Sequence, residues 1–192
     1  MTIYSWLIFA LWLTLVAYWV LASRSRRASF GGQWMWWREV AVRLGFFALL
    51  MLAVQVAALR HALPNAPAYA LSTSPLRGLI GCVLCVLGIA LAVLARAHLE
   101  PGGLTAGSDR RNAGLITTGP YALVRHPLYS GLLLAVLGSA IGQSVLWLLP
   151  LIVYGPLFII SARREEKRLL EQFPESYPAY MKQTKMLLPF VL

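Results

Sequence analysis

The stretch Leu128–Ile160 reads LYSGLLLAVLGSAIGQSVLWLLPLIVYGPLFII and holds no charged residue. It is longer than the roughly 20 apolar residues one membrane-crossing helix needs. Gly142-Gln143-Ser144 divides it, so the stretch predicts two helices in a tight hairpin. The first is short enough to begin before Leu128 or to tilt. Pro150 and Pro156 are expected to bend the second.

Three more apolar runs lie N-terminal to this hairpin. Gly78 to Ala95 is rich in Gly and Ala, which lets a helix approach a neighbour closely. Val40 to Leu59 is interrupted only by Arg43 and Gln55 and follows Trp34, Trp36 and Trp37, residues suited to an interfacial belt. Ile3 to Ala22 covers roughly 30 Å as a helix. No basic residue precedes it, so it reads as a span and not as a cleaved signal. The expected fold is an all-α integral-membrane helical bundle of about five transmembrane helices.

The charges orient this bundle. Arg24, Arg26, Arg27 and Arg38 follow the first run; Arg96, Arg110, Arg111 and Arg125 follow the third; Arg163, Arg164, Lys167, Arg168, Lys182 and Lys185 occupy the tail. Only Arg60 and Arg77 follow the second. Positive loops stay in the cytoplasm, which places the N-terminus outside and the C-terminus in the cytoplasm. The composition agrees: 59% of the 192 residues are hydrophobic and 12% charged, against about 25% charged in soluble domains. The net charge of +10 sits in clusters between apolar runs, so it speaks for a lipid bilayer partner with anionic headgroups and against nucleic acid. Cys82 and Cys85, the only cysteines, lie one helical turn apart inside an apolar run. With no further ligands nearby they read as packing residues, and no metal site is expected.

Chemistry is expected in the polar stretches 96–127 and 161–192, which this topology brings to one side. Gly119-Pro120-Tyr121 marks a turn. Arg125-His126-Pro127-Leu128-Tyr129-Ser130-Gly131 follows, with Pro127 suited to the first turn of a helix. A helix N-terminus beside Arg125 and His126 favours a carboxylate. Glu165 and Glu166 continue the last span; about 100° apart on a helix, they do not both face one pocket squarely. Taken alone, Arg125 and His126 also fit a membrane-edge anchor, and the glutamates fit pairing with Arg163, Lys167 or Arg168 along the helix. Tyr177 and Tyr180 share a face and suit a pocket wall or the headgroup level.

In order, these pieces resemble the isoprenylcysteine carboxyl methyltransferase and phospholipid methyltransferase superfamily: Gly-Pro-Tyr at 119–121, Arg-His-Pro-Leu-Tyr-Ser-Gly at 125–131, a hairpin, Glu165-Glu166, spaced Tyr177 and Tyr180, and Leu188-Pro189. Arg125 precedes Glu165 by 40 residues, the length a two-span hairpin requires. The resemblance runs from Leu76 to Leu192, with Pro174 where the family has Gly; residues 1–75 match only as hydrophobic helices. It divides the chain into an N-terminal two-helix membrane segment, 1–75, and a methyltransferase core, 76–192.

The resemblance implies a prokaryotic inner-membrane enzyme that moves a methyl group from S-adenosylmethionine to a membrane lipid or other lipophilic acceptor, a carboxylate, amine or thiol. The cofactor enters from the cytoplasm and the tail covers it. His126, Pro127, Tyr129 and the adjoining helix N-terminus are assigned to the cofactor's methionine end, and Glu165 to its ammonium or ribose hydroxyls. Tyr121, Tyr177 and Tyr180 wall the adenosine, and Gly119 and Gly131 are likewise assigned to cofactor binding. Arg125 and Glu166 match positions tied to the acceptor and catalysis: Arg125 to clamp a carboxylate, Glu166 to take a proton from an amine. Two other readings are an NADPH-dependent sterol-type reductase on a related scaffold and a non-catalytic membrane scaffold protein.

Overall fold

The computed structural model describes residues 3–24, 45, 74–99 and 115–188, and every regular element among them is helical. We number the α-helices α1 (Ile3–Arg24), α2 (Pro75–Leu99), α3 (Pro127–Gly142), α4 (Leu148–Gln172) and α5 (Ser176–Gln183). Short 3-10 turns occupy Gly119–Ala122 and Val145–Trp147. Pro127 opens α3, where its missing N–H needs no partner. Pro150 sits in the first turn of α4 for the same reason, and α4 runs on through Pro156. The expected hairpin is therefore present, its two helices separated by Gln143 and Ser144 and the short turn.

Among the described residues, two helical segments, Pro75–Leu99 and Val145–Gln172, are long and apolar enough to cross a membrane. Ile3–Trp19 and Pro127–Gly142 are apolar but shorter; the latter covers about 24 Å at about 1.5 Å per residue. The run Val40 to Leu59 with its flanking tryptophans, Arg60, and the basic pair Arg110 and Arg111 lie outside the described residues.

The chain divides into two compact units, one of Met1–Val86 with Val136–Tyr154, the other of Leu87–Ala135 with Gly155–Leu192. In the first, Ile8, Trp12 and Leu15 form the buried stripe of α1 while Ile3, Trp6, Leu7 and Leu13 are exposed, as expected where the surrounding medium is lipid. Trp12 stacks on Trp147 with centroids 5.7 Å apart, and its indole donates to Ser139 Oγ at 3.0 Å. Gln143 donates to the Ser5 carbonyl at 2.9 Å. Gly81 faces the backbones of Gly138 and Gly142, where a Cβ has no room, so α2 and α3 touch backbone to backbone. Cys82 and Cys85 are free and buried. Cys85 lies 3.9 Å from Ser139 Oγ, which is packing of the kind the sequence suggests.

In the second unit, Gly88 faces Gly131 and Ala135 in another close approach of α2 and α3. Tyr129 and Phe158 stack 4.8 Å apart, with their planes within 13° of parallel. Ala162, Met186 and Leu187 form a small buried core, with Tyr129, Leu133 and Ile159 packed against it. This core fastens the chain after α5 onto α3 and α4.

Candidate functional site

The site lies wholly within the second unit and starts from the turn that precedes α3. Gly119 adopts φ 61°, a conformation that glycine alone takes at little cost. A Cβ there would also strike the His98 ring. The 3-10 turn delivers Tyr121, buried, whose hydroxyl donates to the Ala95 carbonyl at 3.3 Å. The chain then runs extended through Val124, which forms a single parallel bridge with Lys185. Arg125 N–H donates to the Lys185 carbonyl at 2.8 Å and His126 N–H to the Met186 carbonyl at 3.1 Å. The segment after α5 thus closes over the Arg-His-Pro turn as an added strand would.

Arg125 and Glu166 meet inside this enclosure. Arg125 Nε donates to Glu166 Oε1 at 2.6 Å, with the side chains 10% and 11% exposed. Arg125 Nη1 donates to the carbonyls of Met181 and Thr184. Its guanidinium therefore grips the glutamate with one nitrogen and the tail with another. A bidentate grip on an acceptor carboxylate would need Nη1 released from the tail.

The His126 ring, 7% exposed, lies between the two glutamates. Nδ1 is 3.6 Å from Glu165 Oε2 and Nε2 is 3.4 Å from Glu166 Oε1. Nε2 makes no hydrogen bond of normal geometry. The ring stacks on Tyr129, with centroids 5.8 Å apart, which continues to Phe158. The question the sequence left open, which glutamate faces inward, is answered by burial. Glu166 is 8% exposed, while the Glu165 side chain is 55% exposed.

Burial pushes the Glu166 carboxyl up, but the neighbouring His126 ring and the Arg125 guanidinium outweigh it and hold the group below its ordinary value of 4.5. Burial raises the hydroxyls of Tyr121, Tyr177 and Tyr180, and the Glu166 charge adds to the rise at Tyr177. Tyr177 and Tyr180 pack edge to face at 5.9 Å. Tyr180 donates to the Tyr121 carbonyl at 2.6 Å, joining α5 to the 3-10 turn. Tyr177, 1% exposed, buries a hydroxyl that makes no hydrogen bond.

The structure thus brings Tyr121, Arg125, His126, Tyr129, Glu165, Glu166, Tyr177 and Tyr180 into one unit, in linked contacts. It gives Pro127 the first position of a helix and Gly131 a packing role, with the Gly88 carbonyl and Ala92 against it. Gly119 serves the turn. Sequence reasoning passed over Ser130, whose Oγ donates to the Leu187 carbonyl at 2.6 Å, and Thr184, whose carbonyl receives Arg125. The Ser130 position, four residues after His126 on the same helix face, was a usable signal; the carbonyl partners had none. Among the described residues, no group of three or more His, Cys, Asp or Glu side chains is placed to hold a metal ion.

A phospholipid methyltransferase family model matches residues 76–176. The cobalt-zinc-cadmium resistance protein CzcN of Cupriavidus metallidurans is 33% identical over 108 residues, 55% of this chain and 48% of that protein. The match therefore spans about half the length of this curated relative. No solved structure matches the chain significantly.

Proposed function

The chain belongs to the phospholipid methyltransferase family, and from that premise we propose that it transfers a methyl group from S-adenosylmethionine to a lipophilic acceptor. The observation that carries the proposal is the convergence, over 41 residues of sequence, of Arg125 and Glu166 at 2.6 Å, with His126 between two carboxylates. The family match favours this reading over the reductase and scaffold alternatives.

The residues present fit such a cofactor. Tyr177 Oη is a buried polar atom without a hydrogen bond, and His126 Nε2 has only its 3.4 Å approach to Glu166 Oε1; buried polar groups of this kind call for a partner. Two carboxylates against one guanidinium suit a ligand bearing positive charge. The aromatic rings of Tyr121, Tyr177 and Tyr180 suit a nucleoside. When bound, the sulfonium supplies a methyl group already activated for displacement. The chain's own work is to bind, orient and exclude water.

In this reading His126, Pro127 and Tyr129 hold the amino-acid end, Glu165 takes ribose hydroxyls or the ammonium, and the three tyrosines wall the adenosine. The tail, fastened through Arg125 and Ser130, closes the site from water. Arg125 and Glu166 face the acceptor. Held by Arg125 and below the usual carboxylate range, Glu166 is a weak proton acceptor while this ion pair is intact. A carboxylate acceptor is already ionised and needs no base, only the remaining guanidinium donors.

The test is to incubate the purified protein with radiolabelled S-adenosylmethionine and total membrane lipid and to identify the labelled product. Label in one lipophilic species is the expected result. No transfer to any lipid, with a protein that binds S-adenosylhomocysteine, would exclude a lipid acceptor.

A further inference from the structure

Thr184 is buried, although Gln183 and Lys185 on either side of it are exposed. It closes α5 in an extended conformation, φ −128° and ψ 153°. Its N–H and its Oγ1 both donate to the Tyr180 carbonyl, at 3.1 and 2.9 Å, which folds residue 184 back onto the last helical turn. The Tyr180 hydroxyl in turn donates to the Tyr121 carbonyl at 2.6 Å. The Thr184 carbonyl is left pointing at Arg125 and accepts from Nη1.

The last carbonyls of a helix have no partner within it and carry partial negative charge. At the end of α5 the Arg125 guanidinium meets them: Nη1 donates to Met181 at 3.3 Å and to Thr184. Nε donates to Glu166 Oε1 at 2.6 Å. Three of the five N–H donors of a guanidinium are thereby spent. The group is planar and rigid, so holding Nη1 fixes the direction in which Nε points. We infer that Thr184 is a positioning residue: its fold-back onto Tyr180 sets the carbonyls that aim the Arg125 guanidinium at Glu166. The geometry of the Arg125–Glu166 pair therefore depends on how α5 ends.

A role confined to fastening the tail makes a different prediction. Ser130 also holds this segment, but its hydroxyl donates to the carbonyls of His126 and Leu187 and not to a partner of Arg125. Fastening alone makes the loss of either hydroxyl equivalent at Arg125. Positioning makes only the Thr184 hydroxyl count there. The bearing on methyl transfer rests on the proposed function; the hydrogen-bond geometry does not.

The test follows the Arg125 Nε–H by NMR in the full chain, carrying isotope-labelled arginine, in nanodiscs of phosphatidylcholine. Arg125→Lys identifies the signal by its loss. Hydrogen exchange of this N–H is measured in wild type, Thr184→Val, Thr184→Ser and Ser130→Ala. Thr184→Val keeps the branched shape and removes the hydroxyl; Thr184→Ala serves as a second variant should valine disturb packing. The expected result is exchange faster by about fivefold in Thr184→Val, the value of one hydrogen bond. Thr184→Ser restores the wild-type rate, and Ser130→Ala leaves it unchanged. The initial rate of methyl transfer should fall and recover in the same pattern. Wild-type exchange in both Thr184→Val and Thr184→Ala overturns the inference, as does equal acceleration in Ser130→Ala or an Nε–H that is unprotected in wild type. Should wild type transfer no methyl group, the methyltransferase reading fails, and the exchange rates alone decide the role of Thr184.

Discussion

Arg125 Nε and Glu166 Oε1 stand 2.6 Å apart, and the same guanidinium donates to the carbonyls of Met181 and Thr184. One side chain therefore ties the turn before α3 to the polar end of α4 and to the tail. A buried pair of this kind is weak evidence for net stability but costly to break from one side. Glu166→Ala should destabilise the protein by about 3 kcal/mol, and Arg125→Met combined with Glu166→Leu should recover most of that loss. Chemical denaturation of the single and double variants checks it. Additive losses in the double variant would mean that the pair is not coupled.

Acidification should act through the same pair. The Glu166 carboxyl is held below its ordinary 4.5 in the folded chain. Its contribution is therefore fully present above 4.5 and is lost as pH falls through the depressed folded value. Acid-unfolding curves of wild type and Glu166→Gln should converge in that window and stay separated by a constant amount at neutral pH. A separation that keeps widening as the pH drops would contradict the assignment.

Acceptor chemistry separates the roles of the pair. Glu166→Gln should slow methylation of an amine acceptor much more than that of a carboxylate acceptor, because only the amine must lose a proton. Initial rates with one acceptor of each class decide it; equal small effects remove Glu166 from the proton path.

Glycines at two places should respond in opposite directions. Gly88 has the backbones of Gly131 and Ala135 where a Cβ would go, whereas Gly155 has nothing within 4 Å. Gly88→Val should prevent α2 and α3 from meeting and abolish the folded state. Gly155→Ala should be neutral or stabilising by up to about 1 kcal/mol. Expression and melting temperature read both; a stable Gly88→Val protein would refute the close contact.

The carbonyls of Thr184, Lys185, Met186 and Leu187 each accept a hydrogen bond from Arg125, His126 or Ser130 and so fasten the tail. Ser130→Ala removes the 2.6 Å bond to the Leu187 carbonyl and should cost about 1 kcal/mol. The segment after α5 should then be cut sooner by limited proteolysis than in wild type, while the Pro127–Gly142 helix keeps its protection. Unchanged cleavage would show that the bond does not fasten the tail.

Much of this architecture was legible from local rules. The uncharged length of 128–160 and the Gly142-Gln143-Ser144 break gave the hairpin, Pro127 the start of α3, and Gly119-Pro120 the turn. What stayed hidden depends on tertiary contact. Neighbouring glutamates differ by about 100° around a helix, so only packing tells that Glu166 is inward and Glu165 half exposed. Arg125 chose backbone carbonyls of the tail, and a carbonyl leaves no mark in a sequence. Gly131 stands inside the Arg-His-Pro motif, and only packing tells that the Gly88 carbonyl and Ala92 lie against it across the helix contact.

The most direct test of the account is photo-crosslinking of radiolabelled S-adenosylmethionine to the membrane-embedded protein, followed by peptide mapping. The account predicts saturable labelling, competed by S-adenosylhomocysteine, on peptides containing 119–131 or 165–180. Label confined to Ile3–Arg24, or labelling that does not saturate, would contradict it.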